Sequence, residues 1–200
     1  MQSPIGNYFD KYQTCHPLER WAVRRFLDAI LAALDDPGEG RVLDVGCGEG
    51  VVTGMIRQAF PRANVMGLDH GHALLALVRP ELARVGLVAG SAYELPFPDD
   101  AFDLVVATET LEHLEDPAAA LREIARVGRG RVLLTVPLEP HWRVLNCLRG
   151  RYLKDRGNTP GHLQHWSRRD FGRFLATRLE LDRLRVVFPW ILAAGRVRQR

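Results

Sequence analysis

The stretch Val42-Leu43-Asp44-Val45-Gly46-Cys47-Gly48-Glu49-Gly50 decides the fold, because a short apolar run passes directly into three closely spaced glycines. The run 41–45 has the length and setting of a buried strand, and a helix is expected over 50–60. Glycine lets the backbone turn sharply and approach a ligand closely, and the N-terminus of the following helix favours a negatively charged group. The stretch therefore predicts a ligand-binding strand–turn–helix unit.

The spacing of the three glycines distinguishes two kinds of ligand. A dinucleotide site requires G-x-G-x-x-G, in which the third small residue lies five positions after the first. Here the glycines fall at 46, 48 and 50, and Val51 occupies the place of that third residue. The spacing therefore rejects the dinucleotide hypothesis.

Outward from this turn, strand-like and helix-like segments alternate. Strands are expected at 41–45, 64–68, 83–89, 102–107 and 131–136, and helices at 17–34, 50–60, 73–78 and 117–127. A capping box at 167–170 opens a further helix to about Leu175, and 181–188 with 191–197 is typical of a strand pair. The alternation predicts an α/β fold with a doubly wound, mostly parallel, seven-stranded sheet. Periodicity is lost over 137–166, which we interpret as a loop or small insertion.

The composition, with 46% apolar and 26% charged residues, is that of an ordinary soluble domain. No secretory signal or membrane span is expected, and the cysteines at 15, 47 and 147 form no C-x-x-C pair, so we expect reduced thiols and a cytoplasmic location. Charge is uneven: residues 143–200 carry 14 basic and 4 acidic side chains. This imbalance is either a solvated Arg-rich surface or a surface for an anionic acceptor, lipid headgroups or nucleic acid.

The glycine stretch resembles the first motif of class I S-adenosylmethionine-dependent methyltransferases, (D/E)-x-G-x-G-x-G. Residues 90–103 (GSAYELPFPDDAFD) are similar to the D-A-x-x-L-P-F-x-D-x-x-F-D block of the ubiquinone/menaquinone-type subgroup, methyltransferase type 11. Residues 107–117 match its L-E-H-x-x-D-P segment. The resemblance covers about 41–137, and 167 onward only loosely.

This resemblance implies S-adenosylmethionine as cofactor and a set of residues that bind it. Asp44 matches the acid that holds the amino group, and Asp69, at the end of the second strand, matches the acid that accepts the ribose hydroxyls. Ser91 stands where the family has an Asp for the adenine, and a hydroxyl is a weaker acceptor than a carboxylate. The full predicted set is Asp44, Gly46, Cys47, Gly48, Gly50, Asp69, His70, Ser91, Ala92 and Thr108.

The resemblance also divides the chain, which we expect to be one domain over 1–200. Its expected parts are an N-terminal cap (1–40), a cofactor-binding core (41–137), an acceptor-side insertion (138–166) and a final helix with a strand pair (167–200).

His113 is the candidate catalytic base, because an imidazole titrates near neutrality and can deprotonate an acceptor hydroxyl or amine. A histidine at a helix start also has a structural alternative, as a hydrogen-bonding residue.

The acceptor side is predicted from aromatic and imidazole side chains outside the core. The candidates are Tyr8, Tyr12, His141, His162, His165 and Trp166. The first two could wall in the sulfonium or pin the N-terminal segment to the core. Although His162 and His165 are spaced like metal ligands, no matching Cys or carboxylate pattern is adjacent, so we expect no metal.

Three functions remain open. The first is methyl transfer to a small-molecule acceptor with an anionic group, for which arginines at 143, 149, 151, 156, 168 and 169 offer guanidinium forks. The second is methylation of nucleic acid, chiefly RNA, which the basic C-terminal part favours but no RNA-binding module accompanies. The third is a cofactor-binding protein without catalytic activity, which the serine at position 91 favours.

Overall fold

Seven strands form one sheet within residues 16–71 and 85–198, the part of the chain that the computed structural model describes. In chain order they are β1 (Arg41–Val45), β2 (Asn64–Asp69), β3 (Gly86–Ala89), β4 (Phe102–Thr108), β5 (Gly128–Pro137), β6 (Leu179–Val187) and β7 (Trp190–Val197). Their order across the sheet is β3-β2-β1-β4-β5-β7-β6. The first five strands pair in parallel, and β7 is antiparallel to both of its neighbours. The mostly parallel α/β fold predicted from the sequence is confirmed.

Five α-helices accompany these strands in the described residues: α1 (Pro17–Leu31), α2 (Val51–Ala59), α3 (Pro117–Val127), α4 (His141–Leu148) and α5 (Arg168–Leu175). Short 3₁₀ turns occur at Leu111–His113 and Leu153–Asp155. None of the described helices combines the length and apolar character needed to cross a membrane.

Two apolar clusters cover opposite faces of the sheet, because successive side chains of a strand point to opposite sides. In β1, Leu43 and Val45 pack into the cluster that contains α3 and α5, whereas Val42 packs into the cluster that contains α1 and α2. Strands with both faces covered read as continuous apolar runs, which explains the lack of alternation in this part of the sequence.

Most predicted elements are confirmed with small shifts at their ends. β1 has the predicted bounds, β5 begins three residues earlier than predicted, and α1 ends three residues sooner. Ser167 caps α5 as its sequence pattern indicated, since its Oγ accepts a hydrogen bond from the Asp170 backbone N–H at 3.1 Å. The helix predicted at 73–78 lies outside the described residues.

The segment 137–166, predicted to be a loop or small insertion, contains α4, so its description as a loop is wrong. This helix has an inverted pattern: Val144 and Leu148 are 55% and 80% exposed, while the polar Asn146 is buried. The Asn146 side chain donates a hydrogen bond to the Gly157 carbonyl at 2.9 Å, which satisfies its amide in the interior. With eight residues, α4 is shorter than the window of about 11 residues in which helical periodicity is recognised.

The β6–β7 hairpin depends on the absence of a side chain at Gly195. A Cβ at this position would overlap the carbonyl oxygen of Glu180 in β6 and lie 2.9 Å from the Cα of Leu181. The overlap involves backbone atoms, which cannot move aside without breaking the pairing of the two strands.

The substitution Gly195→Ala is therefore expected to lower the free energy of unfolding by about 2–4 kcal/mol, as overpacking against fixed atoms does. Gly86→Ala in β3 is the control, because its Cβ would meet only Met66, at 3.5 Å. Urea denaturation of both variants gives the comparison. Equal effects from the two substitutions would contradict the assigned role of Gly195.

Candidate functional site

The glycine turn between β1 and α2 is fixed to the end of β2. The backbone N–H groups of Gly46 and Cys47 both donate to the Leu68 carbonyl, at 2.7 and 3.0 Å. Gly46, Gly48 and Gly50 all have positive φ angles, of 74°, 53° and 78°. Left-handed backbone at three positions within five residues explains why glycines are required here.

Gly46 has a second constraint, which is the proximity of Thr110. A Cβ at position 46 would lie 2.5 Å from the Thr110 Oγ1 and 2.6 Å from its Cγ2. The same Oγ1 donates to the Val45 carbonyl at 3.0 Å. The turn after β1 is thus packed directly against the segment that follows β4. By contrast, a Cβ at Gly48 would meet no atom within 4 Å.

Asp44 is a buried carboxylate at the end of this strand, 1% exposed. Its Oδ2 accepts a hydrogen bond from the Thr53 hydroxyl at 2.6 Å, and its Oδ1 has no hydrogen-bond partner among the described residues. Burial raises the pKa of Asp44 to about 6, with a smaller contribution from the charge of Asp69, against the lowering effect of the Thr53 hydrogen bond. A buried acceptor without a donor suits a ligand ammonium group.

Asp69 ends β2 beside the same turn. Its Oδ2 accepts from the Gly48 N–H and its Oδ1 from the Gly71 N–H, both at 2.8 Å. Because each carboxylate oxygen has two lone pairs, both oxygens retain capacity for ligand hydroxyl groups. The two bonds hold the carboxylate at the C-terminal edge of the sheet.

The other residues predicted to bind the cofactor follow the ends of parallel strands, which meet at one edge of the sheet. Thr108 is buried at the end of β4, and Ser91 and Ala92 are half-buried just after β3. The Ser91 Oγ accepts from the Tyr93 N–H at 3.1 Å. Cys47 is buried, and this burial raises the pKa of its thiol, whereas His70 is exposed after β2.

A cavity of about 110 Å³ is lined in part by the segment that follows β4. It is walled by α1, the 3₁₀ turn after β4, α4, the loop 159–162 and the start of β7. Trp190 closes one wall, where its Nε1 donates to Glu109 Oε2 at 2.8 Å and its ring stacks on Phe26 at 4.3 Å between centroids.

Charges of both signs line this cavity. At one end the Glu19 Oε1 lies 3.6 Å from Arg149 Nε and 3.5 Å from Arg151 Nη2. Burial, and then the charge of Arg151, lower the pKa of Arg149, while Glu19 opposes them. Glu109 and Glu112 contribute further carboxylates. The cavity lining therefore carries both positive and negative side chains.

The predicted acceptor-side residues separate into two groups. His113 and His162 line the cavity. His141 is exposed against Phe188, His165 is exposed with its Nε2 2.8 Å from Asn158 Oδ1, and Trp166 packs on α5 through its phenylalanines. Tyr8 and Tyr12 lie outside the described residues.

Sequence reasoning missed several residues of this site. Thr53 holds Asp44 from one turn into α2, and Glu19 and Trp190 line the cavity from two distant segments. For Thr53, a polar residue on an otherwise apolar helix face was an available signal. Glu19 and Trp190 carry no local signal, because only the tertiary fold brings them together.

Comparison with known proteins connects this geometry to a family. Residues 43–135 match the family model of a methyltransferase domain. The ubiquinone/menaquinone biosynthesis C-methyltransferase of Desulfotalea psychrophila is 33% identical over 140 residues, which are 66% of this chain and 55% of that protein. The malonyl-[acyl-carrier protein] O-methyltransferase of Halorhodospira halophila is 35% identical over 121 residues, 59% of this chain and 40% of that protein.

A solved structure shares the fold. An S-adenosylmethionine-dependent methyltransferase of Aquifex aeolicus superposes with a TM-score of 0.69 at 16% identity, covering 86% of this chain and 89% of that one. The chain spans from about a third to just over half of the length of the curated relatives it matches.

Asp44 gives a test of the site's electrostatics that needs no ligand. With a pKa near 3.8 in the unfolded chain and about 6 in the folded one, its contribution favours folding below pH 4 and is lost as the pH rises through 6. Asp44→Asn removes the buried charge but keeps an acceptor for Thr53. We expect it to raise the free energy of unfolding by about 1–3 kcal/mol at pH 8 and by less at pH 5.

Denaturation at both pH values measures this difference. The exposed Asp155→Asn is the control and should change stability by less than about 0.5 kcal/mol at either pH. A variant at position 44 that is less stable than the parent at pH 8 would refute the assigned cost of the buried charge.

Proposed function

Since residues 43–135 match the family model of a methyltransferase domain, we propose that this chain binds S-adenosylmethionine at its glycine turn and transfers the methyl group to a small-molecule acceptor in the adjacent cavity. One observation carries the proposal. The buried carboxylate of Asp44 has an oxygen without a hydrogen-bond donor, and it lies beside a glycine turn at which a Cβ on Gly48 would project into open space.

Each part of the cofactor has a partner of suitable chemistry at the C-terminal edge of the sheet. Asp44 would accept from the ammonium group, and Asp69 from the ribose hydroxyls while it holds the Gly48 and Gly71 N–H groups. Ser91 and Ala92 would border the adenine. When bound, the cofactor supplies a sulfonium methyl group that is already activated for transfer.

The chain itself contributes alignment and exclusion of water. Thr110 contacts the glycine turn and belongs to the segment 109–113 that lines the cavity, so the proposed donor and acceptor sites share this segment. Holding two reactants in line can lower a barrier by roughly 7–11 kcal/mol. The proposed base, His113, faces the cavity with its Nδ1 3.0 Å from the Gly161 carbonyl.

The acceptor is proposed to be small and to carry an anionic group. The cavity of about 110 Å³ limits its size, and Arg149 with Arg151 makes one end of the cavity basic. An anionic group at that end would take the position now held by the Glu19 carboxylate, leaving the reacting atom toward His113.

RNA methylation is a second candidate, favoured by the arginines of the C-terminal part. Several of these arginines are engaged within the chain, however: Arg149 and Arg151 pair with Glu19, and Arg168 and Arg185 donate to backbone carbonyls. A cofactor-binding protein without catalysis is the third candidate. Both alternatives keep the cofactor site and differ only in what enters the cavity.

The cofactor site is tested by a matched pair of glycine substitutions. Gly48 and Gly38 both have positive φ angles, of 53° and 63°, and a Cβ at either would meet no atom within 4 Å. Both alanine variants therefore carry similar strain, of about 1–2 kcal/mol. We expect only Gly48→Ala to weaken S-adenosylhomocysteine binding, by at least tenfold in calorimetry, because its methyl group enters the proposed cofactor path.

Methyl transfer is tested with labelled S-adenosylmethionine. Incubation with fractionated small-molecule extract and, separately, with total RNA should give label only in the small-molecule fraction, most strongly in its anionic part. Label in RNA would favour the second candidate. Tight cofactor binding with no transfer to either would favour the third, and no cofactor binding would refute the proposed function.

A further inference from the structure

Three side chains of the types that bind metal ions line the cavity. The proposed methyl transfer does not require them together. Within residues 16–71 and 85–198, Glu112, His113 and His162 form the group of His, Cys, Asp or Glu side chains that could hold an ion, with potential ligand atoms within 4.8 Å of one another. Glu112 and His162 are buried, and His113 is half-buried. All three line the cavity.

The hydrogen bond of His113 fixes which of its nitrogens can bind an ion. Its Nδ1 lies 3.0 Å from the carbonyl oxygen of Gly161, and a carbonyl can only accept. The proton of the neutral ring is therefore on Nδ1, and the lone pair is on Nε2. A backbone carbonyl that holds the second nitrogen is the usual orienting contact of a metal-binding histidine.

The backbone brings His162 to the other two residues from 49 positions away. The N–H groups of Leu163 and Gln164 both donate to the Glu112 carbonyl, at 2.8 and 3.0 Å. The His162 ring lies at 84° to the His113 ring, with centroids 4.9 Å apart, and is stacked against Trp142. The loop is thus fastened to the 3₁₀ turn that carries the other two side chains.

We propose that Glu112, His113 and His162 bind one divalent transition-metal ion of the zinc type, with its remaining coordination positions open to the cavity. Two imidazoles and one carboxylate suit Zn²⁺, Co²⁺ and Fe²⁺, and a set of three protein ligands with an open position is the arrangement of reactive rather than structural zinc sites. Ligand atoms about 2.1 Å from an ion lie roughly 3.4 Å apart, so separations of up to 4.8 Å would close by up to about 1.4 Å on binding.

The ion gives the cavity a second way to activate an acceptor. An acceptor hydroxyl or carboxylate at an open position would be held and polarised by the ion, which lowers the pKa of a bound hydroxyl. The general-base role of His113 is then replaced, since a nitrogen that binds an ion cannot accept a proton. This consequence rests on the proposed function, whereas the metal site itself does not.

Cobalt is the probe, because Co²⁺ takes the place of zinc and absorbs visible light. Tag-free protein, freed of metal by dialysis against a chelator, is titrated with CoCl₂ and followed by absorbance and calorimetry. We expect one ion per chain and a visible band. His162→Gln should weaken Co²⁺ binding at least tenfold, and Glu112→Gln should do the same.

His165→Gln is the matched control, because this exposed imidazole lies three residues away and bonds Asn158 instead. It should bind Co²⁺ as the parent does. S-adenosylhomocysteine binding, measured on every variant, reports folding and the cofactor site. Parent protein that binds this compound but no Co²⁺ would overturn the metal site alone, as would Co²⁺ binding that survives His162→Gln and disappears in His165→Gln.

Discussion

The contact between Gly46 and Thr110 is the constraint on which both halves of the site depend. Gly46 makes the sharp left-handed turn after β1, and the Thr110 side chain occupies the space that any Cβ there would need. Because the Thr110 hydroxyl also bonds the Val45 carbonyl, the chain after β4 is fixed to the end of β1. The segment that follows β4, which also supplies Glu109, Glu112 and His113 to the cavity lining, is therefore packed against the glycine turn.

Two carboxylates of the site lie at the ends of neighbouring strands, and their charges are compensated to different degrees. Asp69 is held by two backbone N–H groups, which compensate its charge. Asp44 is buried with a single hydroxyl donor, so its ionised form is destabilised in the protein without a ligand. A cationic ligand group would offset the unfavourable burial of this charge. Part of the binding free energy then comes from relieving an unfavourable interaction that is already present in the protein without ligand.

The sequence supported accurate inference wherever a signal is local. The strand and glycines at 41–50, the capping box at Ser167 and the strand pair around Pro189 were all predicted near their observed positions, because each depends on residues a few positions apart. The helix at 141–148 was not predicted, because its eight residues are too few to show a helical period in a window of about 11 residues. Its burial could not be predicted either, since the buried position carries Asn146 while valine and leucine are exposed.

The position of the residues proposed for the cofactor, at one edge of the sheet, could be predicted because they lie at or just after the ends of parallel strands. The set of residues that lines the cavity could not be predicted in this way. Glu19, Glu112 and His162 come from three segments that only tertiary packing joins, and a hydrogen bond from the Leu163 N–H to the Glu112 carbonyl leaves no mark in the sequence. His113 was chosen for its titration, without a signal that His162 would stand beside it.

The position of Trp190 in the chain determines when, during synthesis, one wall of the proposed acceptor cavity becomes available. This residue opens β7, which inserts between β5 and β6, and its indole reaches back to Phe26 and Glu109. A nascent chain that has emerged only through β5 carries the whole glycine turn and both carboxylates, but lacks this wall. The residues of the proposed donor pocket thus precede this wall of the proposed acceptor cavity in the order of synthesis.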